Sequence, residues 1–178
     1  ALRPFPVEYL QDYLVLGQYA AGTFEGKPVP AYREEPDVAP NSITPTFAMM
    51  KVYLDNWRWQ GVPFYMTSGK RLTTKSTEIA IQFKTVPYSM FRHVLGEAIL
   101  ANRLTMGIHP EERITLSFQT KNPGAQVCLR TATMDFHYNQ NYTGPSLDAY
   151  EKVLIDCMLG DQMLFWRQDS VERCWSFL

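Results

Sequence analysis

Three cysteines, Cys128, Cys157 and Cys174, are all that 178 residues contain, an odd number without a close pair. That argues against a disulfide framework and against a zinc knuckle, and predicts reduced, buried thiols in a cytoplasmic protein. Charge of one sign is lacking too: 17 Lys and Arg stand against 18 Asp and Glu, a net of −1. No broad field draws in nucleic acid or an acidic membrane, so any anion must be met locally. Apolar runs are short and soon broken by Lys51, Asp55 or Arg71, well under the roughly 20 residues that span a bilayer. The expectation is a soluble protein with no membrane partner. Ten glycines occur and no two are separated by a single residue, which excludes G-x-G-x-x-G. Gly69-Lys70-Arg71 lacks both the upstream glycine of a P-loop and the Ser/Thr after its lysine. No cofactor-binding residue is therefore assigned, and without H-E-x-x-H or similar spacing no metal ligand is either. The start, Ala1-Leu2-Arg3-Pro4-Phe5-Pro6, has two prolines where a secretory signal needs an apolar helix and no initiator Met. It reads as cut rather than targeted.

What is present fits one domain over residues 1–178. Val7, Leu10 and Leu14, at spacings of three and four behind Pro6, predict a helix over 6–16. Residues 17–45 carry Gly22, Gly26, Pro28, Pro30, Pro36 and Pro40 and read as a long surface excursion. Residues 46–56 alternate Phe47, Met49, Lys51 and Tyr53 against Ala48, Met50, Val52 and Leu54, a strand with one dry face. Strands follow at 64–68 and 78–86, the second with Ile79, Ile81 and Phe83 on one side. Leu104, Met106 and Ile108, then Ile114, Leu116 and Phe118, then a segment through Leu129, Met134, Phe136 and Tyr138 complete a meander. Its turns are His109-Pro110-Glu111-Glu112 and Lys121-Asn122-Pro123-Gly124. The period then changes to 3.6: Ser146 suits an N-cap, Tyr150, Val153, Leu154, Cys157 and Met158 share a stripe, and Gly160 is a stop. A second helix is predicted over 170–178. Strands in a block followed by helices in a block give an α+β fold, a large mainly antiparallel sheet with helices covering one face.

The densest chemistry lies in Asn56 to Lys75, where an aromatic segment runs into Gly69 and closely spaced cations. Lys70 and Lys75 are five residues apart and would point oppositely on a straight strand. A break at Gly69 and the polar Thr73-Thr74 allow a turn that brings both to one anion, and ammonium groups there can hold a phosphate dianion. The same residues also suit a solvated basic turn. His93-Val94-Leu95-Gly96-Glu97 has the look of a catalytic loop, yet no carboxylate precedes the ring to orient it. His109, before Pro110 at a strand end, is better placed for a ligand, and His137 lies in a strand. Trp57 and Trp59 alternate with Arg58, which suits single-strand stacking, but the balanced charge favours core or interface packing.

In order and approximate spacing, Leu16-Gly17-Gln18-Tyr19, Tyr32-Arg33-Glu34-Glu35, Thr46-Phe47, Tyr53-Leu54-Asp55-Asn56-Trp57-Arg58-Trp59, Gly61-Val62-Pro63-Phe64, Ser68-Gly69-Lys70-Arg71-Leu72, Glu78-Ile79, Ile81-Gln82-Phe83, Met134-Asp135-Phe136, Asp148-Ala149-Tyr150-Glu151 and Cys174-Trp175 resemble the C-terminal domain of glucose-6-phosphate dehydrogenase. The resemblance covers nearly the whole chain. It implies an NADP-dependent oxidoreductase converting glucose 6-phosphate to 6-phosphogluconolactone at the opening of the pentose phosphate pathway, assembled as a dimer or dimer of dimers through the large sheet. Lys70 matches the family's phosphate-contacting lysine and Lys75 a second substrate-contacting basic position. At about 4 Å and an effective dielectric near 20, each contributes on the order of 4 kcal/mol of attraction before desolvation is subtracted. The family's Arg-x-Gln-Pro run reads Gly107-Ile108-His109-Pro110 here, and Thr67, Ser76 and Ala80 stand where some members build a second, structural NADP site, so that site is not expected. The family's dinucleotide fold and His-Tyr-Leu-Gly-Lys segment are absent, so NADP is expected to be bound mainly by an N-terminal domain outside this chain. No catalytic residue is assigned, and the 178 residues alone are expected to be inactive. The alternative is a non-catalytic assembly or regulatory module derived from that domain.

Overall fold

A computed structural model describes residues 2–4, 7–24, 26–89, 99–125, 128–140, 142–144 and 147–177. The segment His93 to Glu97 lies outside them, as do Pro6 and Ser146. Among the described residues the strands pair antiparallel and two α-helices come last, so the α+β reading holds. The chain divides into two compact units, Ala1–Thr73 with Leu147–Leu178, and Thr74–Ser146.

In the first unit a 3-10 turn at Val7–Asp12 leads into β1 (Leu14–Gly17). The helix predicted over 6–16 is therefore reduced to that 3-10 turn, and its end is a strand. Leu14 pairs with Met50 and Leu16 with Ala48, while the Lys51 N–H donates to Tyr13 O at 2.8 Å. A helical spacing of three apolar residues is a local preference, and pairing with a neighbouring strand overrides it. The excursion after β1 contains a hairpin of β2 (Gly22–Phe24) and β3 (Lys27–Val29), turned at Gly26 with φ 77, and a 3-10 turn at Tyr32–Glu34. β4 (Phe47–Tyr53) and β5 (Pro63–Gly69) complete a sheet in the order β1-β4-β5. The strand predicted for β4 forms, but its alternation in burial is weak: Val52 is 2 % exposed, the one buried hydrophobic side chain among the described residues, and Ala48 and Met50 on its face are half-buried, as are Phe47, Lys51 and Tyr53 on the other.

Helix α1 (Ala149–Leu159) starts at Asp148, two residues beyond the predicted cap. Asp148 Oδ1 accepts from the Ala149 N–H, and Glu151 Oε2 accepts from the Asp148 N–H at 2.9 Å, a reciprocal capping box. Gly160 ends the helix at φ 70, as its position predicted. The stripe of Tyr150, Val153, Leu154 and Met158 is exposed. Cysteine burial must be corrected with it: Cys157 and Cys128 are exposed and Cys174 half-buried, although all three are free thiols as expected. Helix α2 spans Gln168–Phe177. Among the described residues no helix is long and apolar enough to cross a membrane.

The second unit is the predicted meander, β6 (Thr77–Gln82), β7 (Arg103–His109), β8 (Arg113–Lys121) and β9 (Leu129–His137), paired in sequence order. Polar residues pair across it, with Thr115 Oγ1 donating to Asp135 Oδ1 at 2.7 Å and Gln119 Nε2 to Thr131 Oγ1 at 2.8 Å. Met134, Phe136 and Tyr138, alternate residues on β9 and just beyond, are exposed.

Candidate functional site

The basic turn after β5 is built from the sheet outward. Gly69, the last residue of β5, sits opposite Phe47, and the next N–H, that of Lys70, donates to Thr46 O at 2.8 Å. Thr46 is itself fixed twice: its N–H donates to Gly17 O at 2.8 Å and its Oγ1 accepts from the Tyr19 N–H at 3.0 Å. Lys70 thus leaves a hydrogen-bonded edge, with its side chain exposed and its ammonium in no ion pair among the described residues. A cation on a fixed backbone with no internal partner is what an anion needs.

Arg71 continues the chain at φ 54, a left-handed conformation unfavourable for a residue with a Cβ. Its guanidinium is held from two sides. Glu35 Oε1 accepts from Arg71 Nη2, and the guanidinium carbon lies 5.2 Å from the centroid of the Tyr19 ring. Tyr19 Oη donates to the same Glu35 oxygen at 3.1 Å. The hydrogen bond to Tyr19 and the charge of Glu35 raise Arg71 above the ordinary guanidinium value, against the opposing effect of burial. Tyr19 is braced in turn by the Tyr32 N–H, which donates to Tyr19 O at 3.1 Å, and by the edge of the Tyr32 ring at 5.7 Å. Beside it, Arg33 Nε donates to Gln18 Oε1 at 2.9 Å, and Gln18 Nε2 donates to the carbonyls of Ser42 and Thr44. The sequence blocks around Gln18, Glu35 and Lys70 therefore meet at one corner of the first unit. No local signal in the sequence marks Tyr19 and Glu35 as partners of Arg71, because Glu35 lies 36 residues before Arg71 and Tyr19 a further 16 before Glu35.

Lys75 belongs to the second unit, exposed, two residues before β6. Next to it a shallow cleft of about 370 Å³ is lined by Ser76, Glu78, His109, Glu111 and Arg113 among others. Gly107 is required at its floor, since a Cβ there would lie 2.7 Å from Glu111 O. His109 closes β7 at this cleft, and His137 closes β9 at another of about 390 Å³ with Pro110 and Glu112. No group of three His, Cys, Asp or Glu side chains among the described residues is arranged to hold a metal ion. Trp59 packs edge-on against Phe64 at 5.3 Å, whereas Trp57 is entirely exposed, so the two rings do not act as a pair.

The family "Glucose-6-phosphate dehydrogenase, C-terminal domain" matches residues 1–178. The glucose-6-phosphate 1-dehydrogenase of Treponema pallidum (strain Nichols) is 42% identical over 178 residues, covering 99% of this chain and 35% of that protein. That of Bacillus subtilis (strain 168) is also 42% identical, covering 100% and 36%. Among solved structures, a glucose-6-phosphate dehydrogenase in complex with its substrate glucose-6-phosphate superimposes with a TM-score of 0.86 at 32% identity, over 99% of this chain and 34% of that one. A glucose-6-phosphate 1-dehydrogenase from Mycobacterium avium gives 0.75 at 26% identity, over 100% and 34%. The chain spans about a third of the length of the relatives it matches.

Proposed function

The chain belongs to the glucose-6-phosphate dehydrogenase C-terminal domain family, and from that premise we propose that it is the phosphate-anchoring and dimerising part of an NADP-dependent glucose-6-phosphate 1-dehydrogenase. The enzyme converts glucose 6-phosphate to 6-phosphogluconolactone at the opening of the pentose phosphate pathway, in the cytoplasm. Lys70 anchors the sugar phosphate and holds the substrate in register for hydride transfer, which lowers the entropic part of the barrier, and Lys75, carried by the second unit, is the second basic substrate contact that the resemblance implies. The observation that carries this is Lys70 itself: an exposed cation without an ion-pair partner among the described residues, on a backbone tied to Thr46.

NADP does not fit these residues. Ten glycines without a G-x-G-x-x-G give no cradle for a pyrophosphate, so NADP is bound mainly by an N-terminal domain outside this chain and no hydride or base step is assigned within it. Dimerisation rests on the apolar Met134, Phe136 and Tyr138, exposed on the four-stranded sheet. The same surface favours the second reading, a module that only assembles.

Substrate kinetics in the full-length enzyme carrying this chain test the anchoring role. Lys70→Ala removes a charge-assisted contact, so KM for glucose 6-phosphate rises about ten- to a hundredfold while the NADP dissociation constant stays put. A change mainly in NADP affinity overturns the assignment, and unchanged kinetics leave the assembly module in its place. Light scattering on the purified 178 residues checks the association, where a strict monomer counts against both readings.

A further inference from the structure

Lys70 is held from both sides, and the second hold is remote in sequence. Before it, its own N–H is fixed on Thr46 O at 2.8 Å. After it, Arg71 takes a positive φ of 54 and its guanidinium is captured by Glu35 and the Tyr19 ring. Thr46 and Glu35 are both bonded to Tyr19, through its N–H and its hydroxyl respectively, so the contacts close a ring around the lysine. Without that capture the Arg71 backbone would relax toward negative φ, and the peptide joining it to Lys70 would rotate. Glu35 also pairs with the neighbouring guanidinium, leaving Lys70 as the cation of the turn without an ion pair among the described residues.

We propose that Tyr19 and Glu35 are positioning residues, which clamp Arg71 so that the Gly69-Lys70-Arg71 turn presents the Lys70 ammonium to the sugar phosphate. The inference rests on Lys70 being the phosphate anchor. It adds that anchoring depends on a carboxylate and a phenol that touch no substrate, and that Arg71, despite its charge, is not itself a phosphate ligand.

The test uses the full-length enzyme with Glu35→Gln and Tyr19→Phe, which keep side-chain shape, alongside Lys70→Ala and each combination with it. Glu35→Gln is expected to raise KM for glucose 6-phosphate about tenfold and to weaken competitive inhibition by inorganic phosphate by a similar factor, with kcat and KM for NADP unchanged. Tyr19→Phe, which keeps the ring under the guanidinium, has a smaller effect in the same direction. In the Lys70→Ala background neither change moves KM further, because the clamp acts only through that lysine. Fully additive effects, or a fall in KM on freeing Arg71, overturn the proposal. If Lys70→Ala raises KM and Glu35→Gln does not, the clamp fails and the anchor stands. If Lys70→Ala leaves KM unchanged, the anchor fails and the clamp with it.

Discussion

Gly69 stands opposite Phe47 in the β4–β5 ladder so closely that a Cβ on the glycine would lie 3.0 Å from Phe47 Cδ2 and 3.3 Å from both methyl carbons of Leu72. The glycine before the lysine is there for space. Gly69→Ala therefore forces the Phe47 ring and the Leu72 side chain apart, an overpacking change of about 1–3 kcal/mol. Urea unfolding should show a lowered midpoint at constant slope. A midpoint equal to that of the parent would mean that Phe47 yields freely.

Arg3 grips Asp55 with two nitrogens, Nη2 at 2.6 Å and Nε at 3.1 Å from Oδ1. The hydrogen bond from Arg3, and then its charge, hold the Asp55 carboxyl below its ordinary value. A depressed folded-state pKa gives stability that is present above the unfolded pKa and lost as pH falls through the folded one. The difference in melting temperature between the parent and Asp55→Asn should thus be constant near neutrality and shrink below about pH 4. A difference that persists unchanged to about pH 2 would show that the pair contributes nothing through its charge.

Removing the α1 cap with Asp148→Ala leaves the first-turn N–H groups without their carboxylate, while the backbone N–H of residue 148 still donates to Glu151. The expected cost is about 1 kcal/mol. Glu151→Ala, which loses one half of the box, should cost less, and chemical denaturation ranks the two. The reverse order would make Glu151 the principal cap.

Much of the fold was legible because it is written locally. The alternation in residues 46–56 and the apolar periods of the meander give strands wherever they are placed, and Gly160 stops a helix by its own dihedral. The cap at Asp148 is written locally as well, since Asp148 followed by Glu151 has the spacing of a capping box, two residues beyond Ser146. Leu14 was not legible. Its spacing from Val7 and Leu10 fits a helix as well as its pairing with Met50 fits a strand, and only the presence of β4 decides between them.

By itself the sequence determined the antiparallel strand block and the late helices, because those are properties of neighbours along the chain. Tertiary structure decided what surrounds Lys70. Bringing Tyr19 and Glu35 onto Arg71 requires β1, the turn at Tyr32–Glu34 and the end of β5 to close on one another. No short-range preference encodes contacts across 16 or 36 residues, so the fold has to form before the lysine acquires its support.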